Sequence, residues 1–293
     1  MWILFALAAA LGSAGTSFAL KRSVEHAGAV ISTVTFRILA GLLLLCVVAV
    51  TGGWPAMPPA YWRAAGLVLV PEVLGMLCLT LALRAGDLSL VQPLLGLIPP
   101  LVMLGGWAFL DQVPTAPAAA GVVLVTIGVY CIGLRPGASA LEPLRALARE
   151  RASWYAIGAA LAWSVTTLIH KVGIDAVGPF PWGVTLALGS GLLLGAALPV
   201  MGRRTGGVAL PVRWWPWGGY VAVAAVAFAL QQAGLYLAMR MTLAGYVMAI
   251  SSIAVLIAAG LGIVLLNERG AAAHRLAGAL LVSAGAVLIA LFG

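Results

Sequence analysis

The chain has 293 residues, of which 63% are hydrophobic and only 8% are charged. Soluble domains carry about 25% charged residues, so this composition excludes a water-soluble globular protein. The net charge of +8 comes from basic residues that lie mostly between apolar runs and form no dense basic arm. They therefore indicate membrane topology and lipid-headgroup contacts, not nucleic-acid binding.

Apolar runs of about 20 residues, each long enough to cross a bilayer core of about 30 Å, predict ten membrane-spanning helices. The first run, which begins at Trp2, lacks a basic flank and is expected to be a retained helix, not a cleaved signal. A charged segment divides the helices five and five, which predicts a first repeat at 1–134, a linker at 135–153 and a second repeat at 154–293. The predicted spans are 2–20, 27–50, 64–83, 88–110, 116–134, 154–169, 180–201, 217–239, 243–266 and 273–291.

The two halves align with each other in the same order along the chain. Residues 11–21 match residues 161–171, and residues 82–84 match residues 238–240. In the last helix of each half, Asp111, Gly121 and Gly128 fall on Glu268, Gly278 and Gly285. Because each repeat has an odd number of helices, the second must insert upside down. The predicted fold is therefore an all-α integral membrane protein with two inverted five-helix repeats around a central cavity.

Two segments carry a family resemblance. One runs from Ala82 to Gly128 and includes Ala-Leu-Arg-Ala-Gly-Asp, and the other runs from Ala238 to Gly285 and includes Asn-Glu-Arg at 267–269. They resemble the drug/metabolite transporter superfamily in its ten-helix, EamA-type members. Two departures are Asp111, where the family usually has Glu, and Ser13, where it often has an aromatic residue. The resemblance implies transport of amino acids, other metabolites, nucleotide sugars or drugs, without naming the cargo.

Two ionisable residues are predicted to lie deep in the membrane, where an isolated charge costs at least a few kcal/mol. Arg37 falls in the second predicted span and Glu72 in the third. Because these spans run antiparallel, both residues should lie about 15 Å from the same face and could pair. A fixed structural ion pair is the alternative to a functional one. We take Glu72 as the first candidate for substrate binding or proton coupling, with Arg37 as its partner.

A polar stripe is predicted on one face of the third span and on the matching face of the eighth. Thr80 follows Glu72 by two helical turns, and the repeat alignment places Gln232 and Tyr236 on the eighth span. Equivalent faces of inverted repeats should line the same cavity. Thr80, Gln232 and Tyr236 are therefore predicted to bind substrate.

The sixth span has a further stripe that contains Trp163, Thr167 and His170. Trp163 and Thr167 are predicted to wall the cavity and bind substrate, although core packing and hydroxyl bonds to the helix backbone are the alternatives. His170 is a weaker candidate for an interfacial or proton-relay role, since a wetted structural histidine near the helix end is the favoured explanation. Ser13 and Ser17, on the matching face of the first span, are also weaker candidates.

Gln92 completes the predicted substrate-binding set. It precedes Pro93, and a second proline pair follows at 99–100 in the same span. Prolines interrupt helical hydrogen bonding and could free carbonyls to face the cavity, with a static kink as the alternative.

The inverted repeat favours a secondary transporter that works by alternating access around a central site. The sequence has no Walker-type phosphate loop, so ATP is not an evident energy source. We expect export of amino acids, amines or drugs across the plasma membrane, the bacterial inner membrane, with proton coupling as a further hypothesis. We expect no enzyme activity, cofactor, metal or nucleic-acid partner, and either a monomer or a homodimer in the lipid bilayer. The alternatives are an integral membrane enzyme or flippase acting on a lipid-linked substrate, and a non-transporting subunit.

The orientation is left open by two conflicting indications. Most basic residues fall in loops after odd-numbered spans, which by the positive-inside rule places both termini outside. The family resemblance implies termini in the cytoplasm.

Overall fold

In a computed structural model of the chain, all regular structure within the described residues is α-helical, and ten helices are present. The described residues are 1–85, 94–133, 150–205, 214–254, 257 and 272–293. The helices are α1 (Trp2–Val24), α2 (Ala29–Val50), α3 (Pro59–Ala85), α4 (Ile98–Leu110), α5 (Ala116–Gly133), α6 (Arg151–Val177), α7 (Pro179–Thr205), α8 (Trp214–Met241), α9 (Ala244–Ser251) and α10 (Ala272–Phe292). The predicted all-α membrane fold with ten helices is confirmed.

Six helices of the described part are long and apolar enough to cross a membrane. They are α1, α2, α6 and α8 over their full lengths, and α3 and α7 over most of theirs. Shorter apolar helices, Ile98–Leu110, Ala116–Ile132 and Ala277–Phe292, lie in α4, α5 and α10. Parts of the predicted fourth and ninth spans lie outside the described residues.

The predicted end of the sixth span at residue 169 is wrong, because α6 continues to Val177. Lys171 and Asp175 interrupt the hydropathy there, but both are accommodated within the helix. The Lys171 ammonium lies 3.2 Å from Asp175 and donates to the backbone oxygen of Met239 at 2.9 Å. Gly178 then ends α6 with a φ of 89°, a left-handed conformation that glycine adopts without strain. α7 starts at the next residue.

The prolines at positions 99 and 100 lie in the first turn of α4. A first-turn position has no intrahelical partner for its N–H group, so proline costs nothing there. At the other end, Asp111 adopts a left-handed φ of 53° and ends the helix. The side chain of Gln112 then reaches the second repeat, where its oxygen accepts a hydrogen bond from the backbone N–H of Ala244 at the start of α9.

The most extensive helix packing is between the two halves: α1 on α8, α2 on α7, α3 on α6 and α5 on α10. The helices α1 to α5 correspond in order to α6 to α10. When each helix is exchanged for its counterpart, the α1·α8 pair becomes the α6·α3 pair. The same exchange maps the α2·α7 and α5·α10 pairs onto themselves. A two-fold axis between the repeats produces this pattern.

Glycines make the α5·α10 crossing a direct backbone contact. A Cβ atom added at Gly121 would lie 2.7 Å from the carbonyl oxygen of Gly285, and one added at Gly128 would lie 2.7 Å from that of Gly278. The register shows that the two helices are antiparallel, since the later residue of α5 meets the earlier residue of α10. The repeat alignment matches Gly121 with Gly278 and Gly128 with Gly285. The contact of Gly121 with Gly285 is therefore equivalent to the contact of Gly278 with Gly128.

Candidate functional site

A buried ion pair joins the middle of α2 to the middle of α3. Nη2 of Arg37 lies 2.8 Å from Oε1 of Glu72. Only 7% of Arg37 and 6% of Glu72 is exposed, so water cannot compensate either charge. The structure thus brings together the two ionisable residues that the sequence placed at the same depth. Removing one partner of such a pair leaves an uncompensated buried charge, which costs about 3–5 kcal/mol.

Arg37 also reaches the second repeat. Its Nη1 donates a hydrogen bond to the Ser190 hydroxyl in α7 at 2.6 Å, and its guanidinium carbon lies 5.1 Å from the ring centroid of Phe228 in α8. A cation over an aromatic face is attracted by the ring quadrupole. Nε of Arg37 is buried and has no hydrogen-bond partner among the described residues. One guanidinium therefore links four helices, and Nε is its one nitrogen atom without a hydrogen-bond partner among the described residues.

The stripe predicted on the eighth span lies in the interior next to Arg37. Phe228, Gln232 and Tyr236 are all buried on α8. The Gln232 amide donates to the Tyr236 hydroxyl at 2.6 Å, so the two polar groups satisfy each other. The stripe supplies an aromatic face for Arg37 and, one and two turns further along the same helix, the hydrogen-bonded amide and phenol.

His170 is a buried residue, because α6 continues well beyond it, and the interpretation as a wetted residue near a helix end was wrong. Its ring lies 5.2 Å from that of Tyr236 in an edge-to-face arrangement. Nδ1 of His170 accepts a hydrogen bond from the indole Nε1 of Trp182 at 3.0 Å. Since an indole N–H can only donate, Nδ1 carries a lone pair and the imidazole is not the doubly protonated cation.

Trp182 was missed by the sequence reasoning. It is fully buried near the start of α7, and its ring packs directly on the backbone of Gly173. Its edge faces Tyr61 of α3, whose hydroxyl lies 3.0 Å from that of Thr185. The signal that could have identified Trp182 is the pairing of a glycine with a tryptophan in adjacent helices, which becomes visible only once the helices are placed.

Polar and aromatic groups thus run continuously from mid-depth to one end of the bundle. The series starts at the ion pair and passes the amide–phenol pair of α8, then His170 with Trp182, and ends at Tyr61. It involves α2 and α3 of the first repeat and α6, α7 and α8 of the second. We refer to these residues, Arg37, Glu72, Ser190, Phe228, Gln232, Tyr236, His170, Trp182, Tyr61 and Thr185, as the polar column.

Trp163 lies beside the polar column, against α3. A Cβ atom added at Gly75 would lie 2.7 Å from its indole nitrogen, so the absence of a side chain at Gly75 makes room for this ring. Gly75 follows Glu72 by three residues, which places it on the same face of α3. The tryptophan predicted as a cavity wall therefore stands about one helical turn from the Glu72 carboxylate.

The predicted hydroxyl groups bond to their own helices. Thr167 donates to the carbonyl oxygen of Trp163, and Ser17 donates to that of Ser13. Ser17 is exposed and Ser13 is half-buried. Gln92 and the side chain of Thr80 lie outside the described residues.

Metal-ligand clusters of three or more His, Cys, Asp or Glu residues are absent from the described part of the chain. The cysteines, Cys46, Cys78 and Cys131, are all free. The polar groups of the column are one ion pair, an imidazole, an indole N–H, an amide and hydroxyl groups, which form ionic contacts and hydrogen bonds.

Residues 1–134, the first five-helix half, match the sequence profile of the EamA-like transporter family. A solved structure described only as a crystal structure of a protein superposes with a TM-score of 0.75. The superposition covers 100% of this chain and 99% of that one, at 16% sequence identity. At that identity the similarity concerns the fold alone. No curated protein matches the chain in sequence.

Proposed function

We propose, since residues 1–134 belong to the EamA-like transporter family, that this multi-pass membrane transporter exports small polar metabolites such as amino acids, amines or drugs. The membrane is the plasma membrane, which in a bacterium is the inner membrane. The two repeats rock around a central site, so that the solute meets each side in turn. Members of the family are transporters and not enzymes.

The observation that carries this proposal is the buried Arg37–Glu72 pair at mid-depth. Taking two charges out of water costs several kcal/mol per ion, and an apolar pair of similar volume is often as stable or more stable. Stability alone therefore does not explain why a chain with so few charges keeps two of them here. Charges at this depth mark solute and ion pathways in membrane proteins.

The contacts of Arg37 support a proposed role for each member of the site. Glu72 holds the guanidinium from the first repeat, while Ser190 and Phe228 hold it from the second. A solute that binds here competes for the same donors and acceptors. As the acidic member of the pair, Glu72 is the residue through which protons would be coupled to transport.

Transport by purified protein in proteoliposomes tests the proposal. Glu72→Gln retains the shape and one acceptor oxygen but removes the charge, so we expect loss of proton-driven uptake. Uptake is measured as counterflow with and without an imposed pH gradient, at matched protein incorporation. Unchanged gradient-driven uptake by the variant would remove Glu72 from the mechanism.

A double substitution separates a structural role of the pair from a functional one. Arg37→Met with Glu72→Leu replaces both charges by apolar groups of similar volume, which in buried pairs is often neutral or stabilising. We expect a folded protein with an unchanged elution volume and no counterflow. A folded double variant that still transports would show that the pair serves only the fold.

A further inference from the structure

Two polar contacts join the repeats near the starts of four helices. The hydroxyl of Tyr61, near the start of α3, lies 3.0 Å from that of Thr185 in α7, and the Tyr61 ring meets the ring of Trp182 edge-on. The indole Nε1 of Trp217, near the start of α8, donates to the hydroxyl of Ser32 in α2 at 3.0 Å. Tyr61, Trp182, Trp217 and Ser32 are all buried. Each contact therefore joins a helix of one repeat to a helix of the other in the interior.

The sequence duplication makes the two contacts equivalent. The starts of α2 and α7 are 150 residues apart, and this offset places Ser32 on Trp182. The alignment of α3 with α8, at an offset of 156, places Tyr61 on Trp217. Because the repeats are inverted, equivalent positions lie at opposite ends of the bundle. One of the two contacts therefore stands at each end.

The Arg37–Glu72 pair lies between the two contacts. Arg37 follows Ser32 by five residues in α2, which is about 7.5 Å along the helix axis. Glu72 follows Tyr61 by eleven residues in α3, which is about 16 Å. Because α2 and α3 are antiparallel, these two distances start from opposite ends of the bundle. A solute that leaves the ion pair toward either end therefore meets one of the two contacts.

Both contacts are connected to the stripe on α8 that flanks the ion pair. Trp182 reaches Tyr236 through the imidazole of α6, which accepts from the indole and packs edge-to-face on the phenol ring. At the other end, Phe36 belongs to the same buried cluster as Trp217. The ring of Phe36 lies 5.4 Å from that of Phe228. Packed side chains therefore connect the region of the ion pair to both ends.

From these observations we propose that the two contacts are the gates of the solute pathway. Tyr61 with Thr185 and Trp182 forms the α3–α7 gate, and Trp217 with Ser32 forms the α2–α8 gate. Both contacts are formed in the structure, which encloses the ion pair between them. Exchange of the repeats interchanges the gates, so the movement that opens one gate closes the other. This inference rests on the proposed function and assigns the residues that open each side.

Single cysteines placed behind the gates report on their opening. Ala64 follows Tyr61 by three residues in α3, and Val221 follows Trp217 by four residues in α8. Each therefore lies on the same helix face as its gate residue, one turn closer to the ion pair, and both are buried. Ala64→Cys and Val221→Cys are made separately in full-length protein whose three native cysteines are replaced. Their rates of modification by a water-soluble maleimide are measured in lipid nanodiscs, where both ends of the bundle meet the reagent.

Removing one polar group from each gate tests whether the gates alternate. Tyr61→Phe removes the hydroxyl group from the α3–α7 gate, and Trp217→Phe removes the N–H group from the α2–α8 gate. Loss of one hydrogen bond shifts an equilibrium by about fivefold. We therefore expect Tyr61→Phe to speed the modification of Ala64→Cys about fivefold and to slow that of Val221→Cys. Trp217→Phe should have the reverse effect on the two rates.

Trp215→Phe is the matched control, because Trp215 is 92% exposed and lies only two residues before Trp217. It should leave both rates unchanged, and an unchanged elution volume shows that each variant is folded. A substitution that only loosens the fold would speed both reporters. That result, or no change at the reporter behind the opposite gate, would overturn the inference.

Failure of the gates is separable from failure of the proposed function. If the two rates change in opposite directions and no solute shows counterflow, transport fails while the gates stand. If a solute shows counterflow and each reporter responds only to its own gate, the gates fail while transport stands.

Discussion

At the residue scale, the direction of one hydrogen bond determines which ring nitrogen of His170 carries the proton. Trp182 donates to Nδ1, so the neutral ring carries its proton on Nε2 and presents a donor there. Tyr236 lies edge-to-face with the same ring and receives the Gln232 amide. These four side chains hold one another in a defined arrangement within a buried region.

We predict that Trp182→Phe destabilises the protein by about 1–3 kcal/mol. Phenylalanine retains most of the ring packing on Gly173 but removes the N–H group, which leaves Nδ1 of His170 as a buried acceptor without its donor. The measurement is the unfolding midpoint of purified protein in detergent. Trp215→Phe is the control, since Trp215 is 92% exposed and should leave the midpoint unchanged. Equal midpoints for the two variants would contradict the assigned hydrogen bond.

At the element scale, the helices cross where glycine lets two backbones meet. Gly121 and Gly128 of α5 lie against Gly285 and Gly278 of α10. Apolar side chains gain little from helix association in lipid, so close backbone approach and van der Waals packing drive it. This crossing fixes the last helix of each repeat against its counterpart, away from the polar column.

Gly121→Ala should destabilise the α5·α10 crossing by about 1–3 kcal/mol, the usual cost of an added methyl group in a tightly packed contact. The new Cβ atom would meet the backbone oxygen of Gly285, which cannot rotate away. Gly66→Ala on α3 is the matched control, because nothing lies within 4 Å of a Cβ atom at Gly66. The two unfolding midpoints are compared in the same detergent. A midpoint for Gly121→Ala no lower than that of the control would show that the contact is looser than described.

Sequence periodicity located the helices and the interior stripe on α8 because both follow from hydropathy and a repeat of 3.6 residues. The depth estimate likewise brought Arg37 and Glu72 together, since both lie in helices and the rise per residue of a helix is known. The resemblance to the EamA-type family, carried by residues 82–128 and 238–285, is confirmed by the family match over residues 1–134. Depth and periodicity were therefore enough to predict a contact that depends on one helix or on two helices adjacent in the chain.

Other features depended on contacts that no single helix encodes. α6 continues past Lys171 because the ammonium of Lys171 is bonded by Asp175 and by the backbone at the end of α8. The end of the apolar run therefore did not mark the end of the helix. Trp182 and Ser190 join the site through helix pairs brought together by the fold. The roles predicted for Thr167 and Ser17 depended on whether each hydroxyl bonds to its own helix, which sequence alone does not decide. Their contribution to solute binding stays a prediction.

At the scale of the whole molecule, each repeat packs mainly on the other. The pairs α1·α8, α2·α7, α3·α6 and α5·α10 all join the two halves, so neither half buries its helices alone. The polar column lies where α2 and α3 of the first repeat meet α6, α7 and α8 of the second. A site divided in this way changes shape whenever the halves move relative to each other.

The orientation of the molecule has a direct test in intact cells. The charge count predicts that the linker at 135–153 faces the cytoplasm, because it follows an odd-numbered span. A single cysteine introduced beside Arg145, in a background with the three native cysteines replaced, should therefore resist a membrane-impermeant maleimide until the cells are permeabilised. Labelling before permeabilisation would exclude the charge-based orientation and place the termini in the cytoplasm.

The hydrogen bond from Arg37 to Ser190 joins the two repeats, so it contributes to the free energy needed to move them apart. A rearrangement that separates α2 from α7 must break that bond, so a solute that withdraws the guanidinium lowers the free energy needed for it. Linkage makes the effect reciprocal: the separated conformation binds such a solute more tightly. A compound that occupies the site without disturbing the Ser190 bond has equal affinity for both conformations and shifts neither population. Such a compound would leave interconversion at its solute-free rate and, by occupying the site, would compete with solutes that speed it.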